Sequence, residues 1–336
     1  MYTVSRASSG FVRGLFVFLP CFQAIAAEPG VTNAPAVAET REDAWWTGPL
    51  LASSASTLPQ GHLLIEPYLY DSVLIGHFAS DKHRSAESHE ATVGTLSYFI
   101  YGVTDRVSVG VIPRFASRDA PGPGGSAGFG AGDVSLQAQY RVTQFTEEHQ
   151  IPTISVIAIE TLPSGKYDRL DTNSGAGLGA GAFTTTVALY SQYYFWLPTG
   201  RILRSRLNIG YSWSSTVAIM GNSVYGTPVG FDGMARPGES ATFDAAFEYS
   251  ATRNWVVAMD ILGERDSNTH TLGYVATGLS RRYVADSRPS DVLVFAPALE
   301  FNWNANLGVI VGARVVGLGR NAAQTIAGVV ALNMVF

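Results

Sequence analysis

Residues 133–142 read DVSLQAQYRV. Val134, Leu136, Ala138, Tyr140 and Val142 share one face of an extended chain; Asp133, Ser135, Gln137, Gln139 and Arg141 share the other. Successive side chains of a strand point to opposite faces, so this alternation predicts a half-buried strand. RLNIGYSW (206–213) and ATFDAAFEYS (241–250) repeat it. After residue 27 no apolar run approaches the roughly 20 residues a spanning helix needs. If such a chain enters a membrane, it must do so as a closed barrel, since only helices and closed barrels satisfy every backbone group in lipid.

Twelve segments carry the pattern, near 61–71, 89–102, 106–116, 133–142, 153–163, 182–197, 202–213, 239–250, 255–264, 291–301, 307–315 and 324–336. Their connections alternate in length. The short ones are 103–105, 143–151, 198–201, 251–254 and 302–306. The long ones are 72–88, 117–132, 164–181, 214–238, 265–290 and 316–323. Outer-membrane barrels have short periplasmic turns and longer outer loops, with apolar residues toward lipid and polar ones toward the lumen. A soluble sandwich or propeller predicts no such alternation of loop lengths. The fold class predicted is all-β: a transmembrane, antiparallel, up-and-down barrel of about twelve strands. Tyr68, Tyr70, Tyr140, Tyr193, Trp196, Trp213, Tyr249 and Trp255 fall near strand ends, where interface girdles sit.

The last segment ends on Phe336, with Ile326, Gly328, Val330, Leu332 and Met334 on the same face. A strand running to the last residue leaves an open edge unless it is paired on both sides, and barrel closure does this. Phe336 is therefore expected on the lipid face of the closing strand. An aromatic in this register resembles the signal read by the barrel-assembly machinery.

The N-terminus reads as an export signal. Arg6 and Arg13 precede a short apolar core (14–25), and AIA at 24–26 has the small-x-small cleavage pattern. Residues 1–26 are expected to be removed, 27–56 to form a periplasmic segment or partial plug, and 57–336 the barrel. The one cysteine, Cys21, lies in the signal, so no disulfide framework is expected. Charged residues make up 15% of the chain, against about 25% in soluble proteins. With net charge −5 and no basic cluster, nucleic acid is not an expected partner.

Candidate chemical motifs are weak. The glycine-rich stretches 120–133 and 173–183 precede strands rather than helices, so a phosphate loop is not expected. His77, His83 and His89, with Asp71, Asp81, Glu87 and Glu90, crowd the first outer loop, but Lys82 and Arg84 are interleaved and a solvated loop is expected. His62 and His149 have no serine in an elbow motif nearby, so no catalytic residues, metal or cofactor are assigned.

The inward face carries the informative charges: Asp133, Gln137 and Arg141 on the fourth strand, Arg204 and Arg206 on the seventh, Asp244 and Glu248 on the eighth, Asp260 and Glu264 on the ninth, and Arg314 on the eleventh. Antiparallel pairing sets Arg204 opposite Glu248 as a cross-strand ion pair. These residues either line a charged constriction or fill a narrow lumen with ion pairs; the sequence fits both.

TLPQGHLLIEPYLY (57–70), YGVTDRVSVGVIPRF (101–115), GAGDVSLQAQYRV (130–142) and ETLPSGKY (160–167) resemble the outer-membrane transporter family named for the meta-pathway of phenol degradation. The matching motifs are turn and strand-start chemistry within 57–167. The resemblance implies an outer-membrane barrel that passes small solutes, aromatic or hydrophobic ones among them, with no catalytic residues to carry over. The expected partners are outer-membrane lipid, the assembly machinery and a small-molecule solute. The alternatives are a closed structural or adhesive barrel, and an outer-membrane enzyme acting on lipid.

Overall fold

The computed structural model describes residues 39–119, 125–170, 174–277 and 279–336. The expected signal segment and the first part of the tail lie outside them. The strands are β1 (Leu63–Phe78), β2 (Arg84–Thr104), β3 (Val107–Ile112), β4 (Arg114–Asp119), β5 (Ala127–Ala131), β6 (Val134–Thr143), β7 (Thr153–Leu162), β8 (Thr184–Trp196) and β9 (Ile202–Ser214). Then come β10 (Val217–Met220), β11 (Phe231–Arg236), β12 (Ser240–Ser250), β13 (Trp255–Asp266), β14 (His270–Thr277), β15 (Leu279–Asp286), β16 (Ser290–Asn304), β17 (Leu307–Arg320) and β18 (Ala322–Val335).

Fourteen of these strands form one antiparallel sheet, and β1 pairs with β18 on one side and β2 on the other, so the sheet closes. Pro113 has no N–H to give the ladder and splits β3 from β4; Gly132 and Asp133 split β5 from β6. Each split pair runs as a single stave, which makes a closed barrel of twelve staves. Phe336 takes part in the seam: its N–H donates to the Leu63 carbonyl at 2.9 Å, and its carbonyl accepts from the Leu63 N–H at 3.0 Å.

The burial pattern is inverted relative to a soluble sheet. On β6, Ser135, Gln137 and Gln139 are buried, whereas Leu136 and Tyr140 are exposed. On β12, Asp244 and Glu248 are buried and Phe243 and Phe247 exposed. A ring of outward Phe, Leu, Val and Tyr around a polar interior is what a lipid-facing belt requires. Trp255, Phe301 and Trp303 form a contiguous outward aromatic cluster at the short-turn end, with ring centroids 4.7 and 5.3 Å apart.

Three expected girdle aromatics face inward. Tyr68 lines an interior cavity, Tyr70 lines the outer vestibule, and the Trp196 indole donates to the Glu39 carbonyl. Each shares its strand's face with polar inward residues, so period-two parity rather than nearness to a strand end decides its direction.

The long connections are largely ordered strand. β1 and β2 extend to a turn at residues 79–83, and β17 passes to β18 through Asn321 alone, in a left-handed conformation. Residues 214–238 and 265–290 fold into a second sheet, ordered β10-β11-β14-β15. It continues the staves of β9, β12, β13 and β16 in the same order. Val217, Ile219, Phe231 and Ala235 bury one face of it against Ala182. Period-two patterning persists there but is broken by glycines and charges, which read as loop.

Candidate functional site: the barrel interior

The interior is occupied at the short-turn end by the chain's own residues 39–58. Their backbone polar groups are taken up one after another by inward side chains. Three consecutive N–H groups, of Leu50, Leu51 and Ala52, converge on the Asp260 carboxylate at 3.0, 3.3 and 2.9 Å. Successive backbone amides around one anion form a nest. Thr47 and Gly48 donate to Glu300 at 2.7 and 3.1 Å. The Ala52 carbonyl accepts from Arg206 at 2.7 Å, the Ser53 carbonyl from Asn208 at 3.0 Å, and the Ser54 carbonyl from Gln139 at 3.1 Å. Ser155 donates to the Ala55 carbonyl, and the Leu58 N–H donates to Ser108. Buried backbone groups need such partners, and here the barrel wall supplies them.

Small side chains bring this segment close to the wall. Ala52 and Ala55 are almost wholly buried. Leu50 inserts among Ala258, Ala296, Ala298, Ile310 and Ala331. A Cβ on Gly312 would lie 2.5 Å from Leu50 Cδ1, so glycine there makes room for the leucine.

The charges expected in the interior fall into distinct environments. In the β9–β12 register Arg204 stands opposite Glu248. The contact is bidentate: Nε donates to Oε2 at 2.7 Å and Nη2 to Oε1. Arg206 Nε lies 3.2 Å from the same carboxylate. Glu300 lies beside Glu248 and completes a buried set of two arginines and two glutamates. The Arg204 guanidinium also stacks on Trp46, 4.5 Å from the ring centre, tying the ion cluster to the N-terminal segment. Asp260 is engaged by the segment's backbone. Asp244 is buried, and its Oδ1 has no hydrogen-bond partner. Glu264 and Arg314 are half-buried on β13 and β17, near enough for their opposite charges to interact. Gln137 lines the inner cavity. Asp133 accepts from the Gly165 N–H at 2.8 Å and the Ala180 N–H at 2.7 Å, anchoring outer connections. Arg141 lies toward the short-turn end of β6, where its N–H donates to the Arg106 carbonyl.

Glu66, Gln192, Asn208, Glu300 and Asn302 were not singled out from the sequence, although all are inward and all but Glu66, whose Oε1 accepts from Asn333, contact the N-terminal segment or its ion cluster. Alternation within PALEFNWN (297–304) places Glu300 and Asn302 opposite the aromatics and was sufficient to find those two.

Two spaces remain. A cavity of about 240 Å³ lies between the N-terminal segment and the wall, lined by Glu66, Tyr68, Tyr98, Gln137 and Arg206 among others. A vestibule of about 600 Å³ lies nearer the long-loop end, lined by Tyr70, Arg114, Arg118, Thr161 and Tyr225 among others. Burial pushes the Tyr225 phenol up to about 12, so it stays protonated and donates to the Ala180 carbonyl at 2.6 Å. The glycine-rich stretch around 174–183 contributes a single 3-10 turn (Ser174–Ala176) and then leads into β8. His77 and His89 lie in β1 and β2 and His83 in the turn between them; no group of three or more metal-ligating side chains comes together among the described residues.

No protein-family model and no curated protein sequence matches this chain. Among solved structures, an outer membrane channel from Pseudomonas putida F1 is similar at 15% identity and a TM-score of 0.62, over 85% of this chain and all of that one. The Pseudomonas putida toluene transporter TodX (13% identity, 87% of this chain, 95% of that chain) and the Ralstonia pickettii toluene transporter TbuX (11%, 87% and 95%) align with TM-scores of 0.37. Those two likenesses are too loose to carry an argument. The first defines the class of fold: a closed twelve-stave barrel of the outer-membrane type.

Proposed function

We propose that this chain is an outer-membrane channel for small solutes, held shut at its short-turn end by its own residues 39–58. One observation carries the reading. An apolar outward belt surrounds a polar interior that is open as a vestibule at one end and filled by a separable segment at the other. Nothing covalent within the described residues holds that segment beyond its continuity with β1. Its contacts are all non-covalent: hydrogen bonds, the Glu39–Arg201 ion pair, the packing of Leu50, Leu51 and Trp46, and cation–π stacks that involve Arg41, Arg204 and Arg253. The short turns lie at the periplasmic end, as in other outer-membrane barrels. Tyr70, Tyr68 and Tyr98 run from the vestibule to the inner cavity and favour solutes with an aromatic or hydrophobic body.

The rival reading is a closed structural barrel. It is favoured by the ion pairing of Arg204 and Arg206 with Glu248. Uptake of arabinose into liposomes carrying the chain from residue 27 onward separates the two. The channel reading expects uptake above that of protein-free liposomes. Uptake at the protein-free rate, both from this chain and from one lacking 39–56, means a closed barrel.

A further inference from the structure

The vestibule wall combines an aromatic face with a cation that has no ion-pair partner among the described residues. In the β1–β2 and β2–β4 registers, Tyr70, Gly94 and Ala116 form one row across three strands. A Cβ on Gly94 would lie 2.3 Å from the Tyr70 hydroxyl, so the tyrosine ring lies flat across the glycine toward β4. On β4, Arg114 stands two residues to one side of Ala116 and Arg118 two residues to the other. All three line the vestibule with Tyr70.

The neighbouring charges are accounted for. Arg118 Nε is 3.0 Å from Glu90 Oε1. Both oxygens of Asp133 accept backbone N–H groups. Arg114 is exposed to the vestibule and has no carboxylate at ion-pair distance among the described residues. Among the described residues, the charge that this wall leaves exposed without an ion-pair partner is therefore the Arg114 cation, beside an aromatic ring, whereas the Asp133 carboxylate is buried. A planar guanidinium binds a carboxylate through two parallel N–H donors, while an aromatic ring stacks on tyrosine.

We infer that the vestibule is a capture site for small aromatic carboxylates, with the carboxylate on Arg114 and the ring against Tyr70. This rests on the channel reading for its purpose, but the capture itself is separately measurable. Benzoate and its neutral analogue benzamide are the probes, at pH 8, with the chain from residue 27 onward and its Arg114→Gln variant. Heat-modifiable gel migration checks folding. In liposomes, corrected for protein-free leakage, benzoate should enter about two- to fivefold faster than benzamide, the range of a water-exposed ion pair. Arg114→Gln should abolish that preference and leave benzamide entry unchanged. In detergent, saturation-transfer NMR should show benzoate contact with the wild-type chain that weakens in Arg114→Gln. Equal entry of both solutes, or a preference that survives Arg114→Gln, overturns the site while leaving a channel. Entry of neither solute, both from this chain and from one lacking 39–56, sinks the channel; the NMR comparison then decides the site, and equal contact from benzoate and benzamide overturns it.

Discussion

Glu248→Ala should cost the folded barrel about 3–5 kcal/mol, the usual penalty for removing one partner of a buried ion pair. The reason is local. Glu248 has no exposed surface, and Arg204 and Arg206 are each 6% exposed, so neither guanidinium can turn to bulk water. Glu300 stays beside them, but it already accepts N–H groups from Thr47 and Gly48. Two positive charges would then share one engaged carboxylate. Urea unfolding of the barrel in lipid vesicles measures the loss. Replacing Glu248 and Arg204 together by apolar residues should recover part of it, because a buried pair exchanged for apolar side chains is often neutral. A loss below about 1 kcal/mol for Glu248→Ala would place the pair in the range of solvated surface bridges and contradict the buried-cluster description.

Asp260→Ala should loosen the N-terminal segment without unfolding the barrel. The substitution removes the acceptor for three consecutive N–H groups. An unpaired buried donor costs about 1–3 kcal/mol, and such a bias shifts a two-state equilibrium by about 5- to 150-fold. Ala55 reports the shift, since it has no exposed surface in the closed arrangement. In an Ala55→Cys background, with the chain beginning at residue 27 so that no other cysteine is present, maleimide labelling should accelerate by a factor in that range when Asp260→Ala is added. An unchanged rate would mean that the carboxylate nest does not hold the segment.

Period-two alternation made the staves legible in sequence, because one face had to be apolar for lipid and the other could not be. The same parity set Arg204 against Glu248 once the hairpin was assumed. Two things did not follow. The outer sheet was hidden because β10 is only four residues long, β11 and β14 are interrupted by glycines and β11 and β15 by charges, and their core forms only when Ile219 and Phe231 meet across strands. The second was the detailed seating of residues 39–58, which the sequence left open between a periplasmic segment and a partial plug. Many of its contacts are backbone groups of an Ala- and Ser-rich stretch meeting Gln, Asn, Ser, Asp, Glu and Arg side chains of the wall. Such a stretch has no periodicity and looks like linker. The matching wall residues look like any polar lumen. Only the three-dimensional register reveals that the carboxylate of Asp260 faces three amides rather than water.

The central claim is that this barrel encloses a solute path closed by its own N-terminal segment. Single-channel conductance in a planar bilayer tests it most directly, comparing the chain from residue 27 with one lacking residues 39–56. The account predicts rare or small openings for the first and steady, discrete, larger conductance steps for the second. A correctly folded barrel that stays silent without the segment, or two chains with identical conductance, would contradict it.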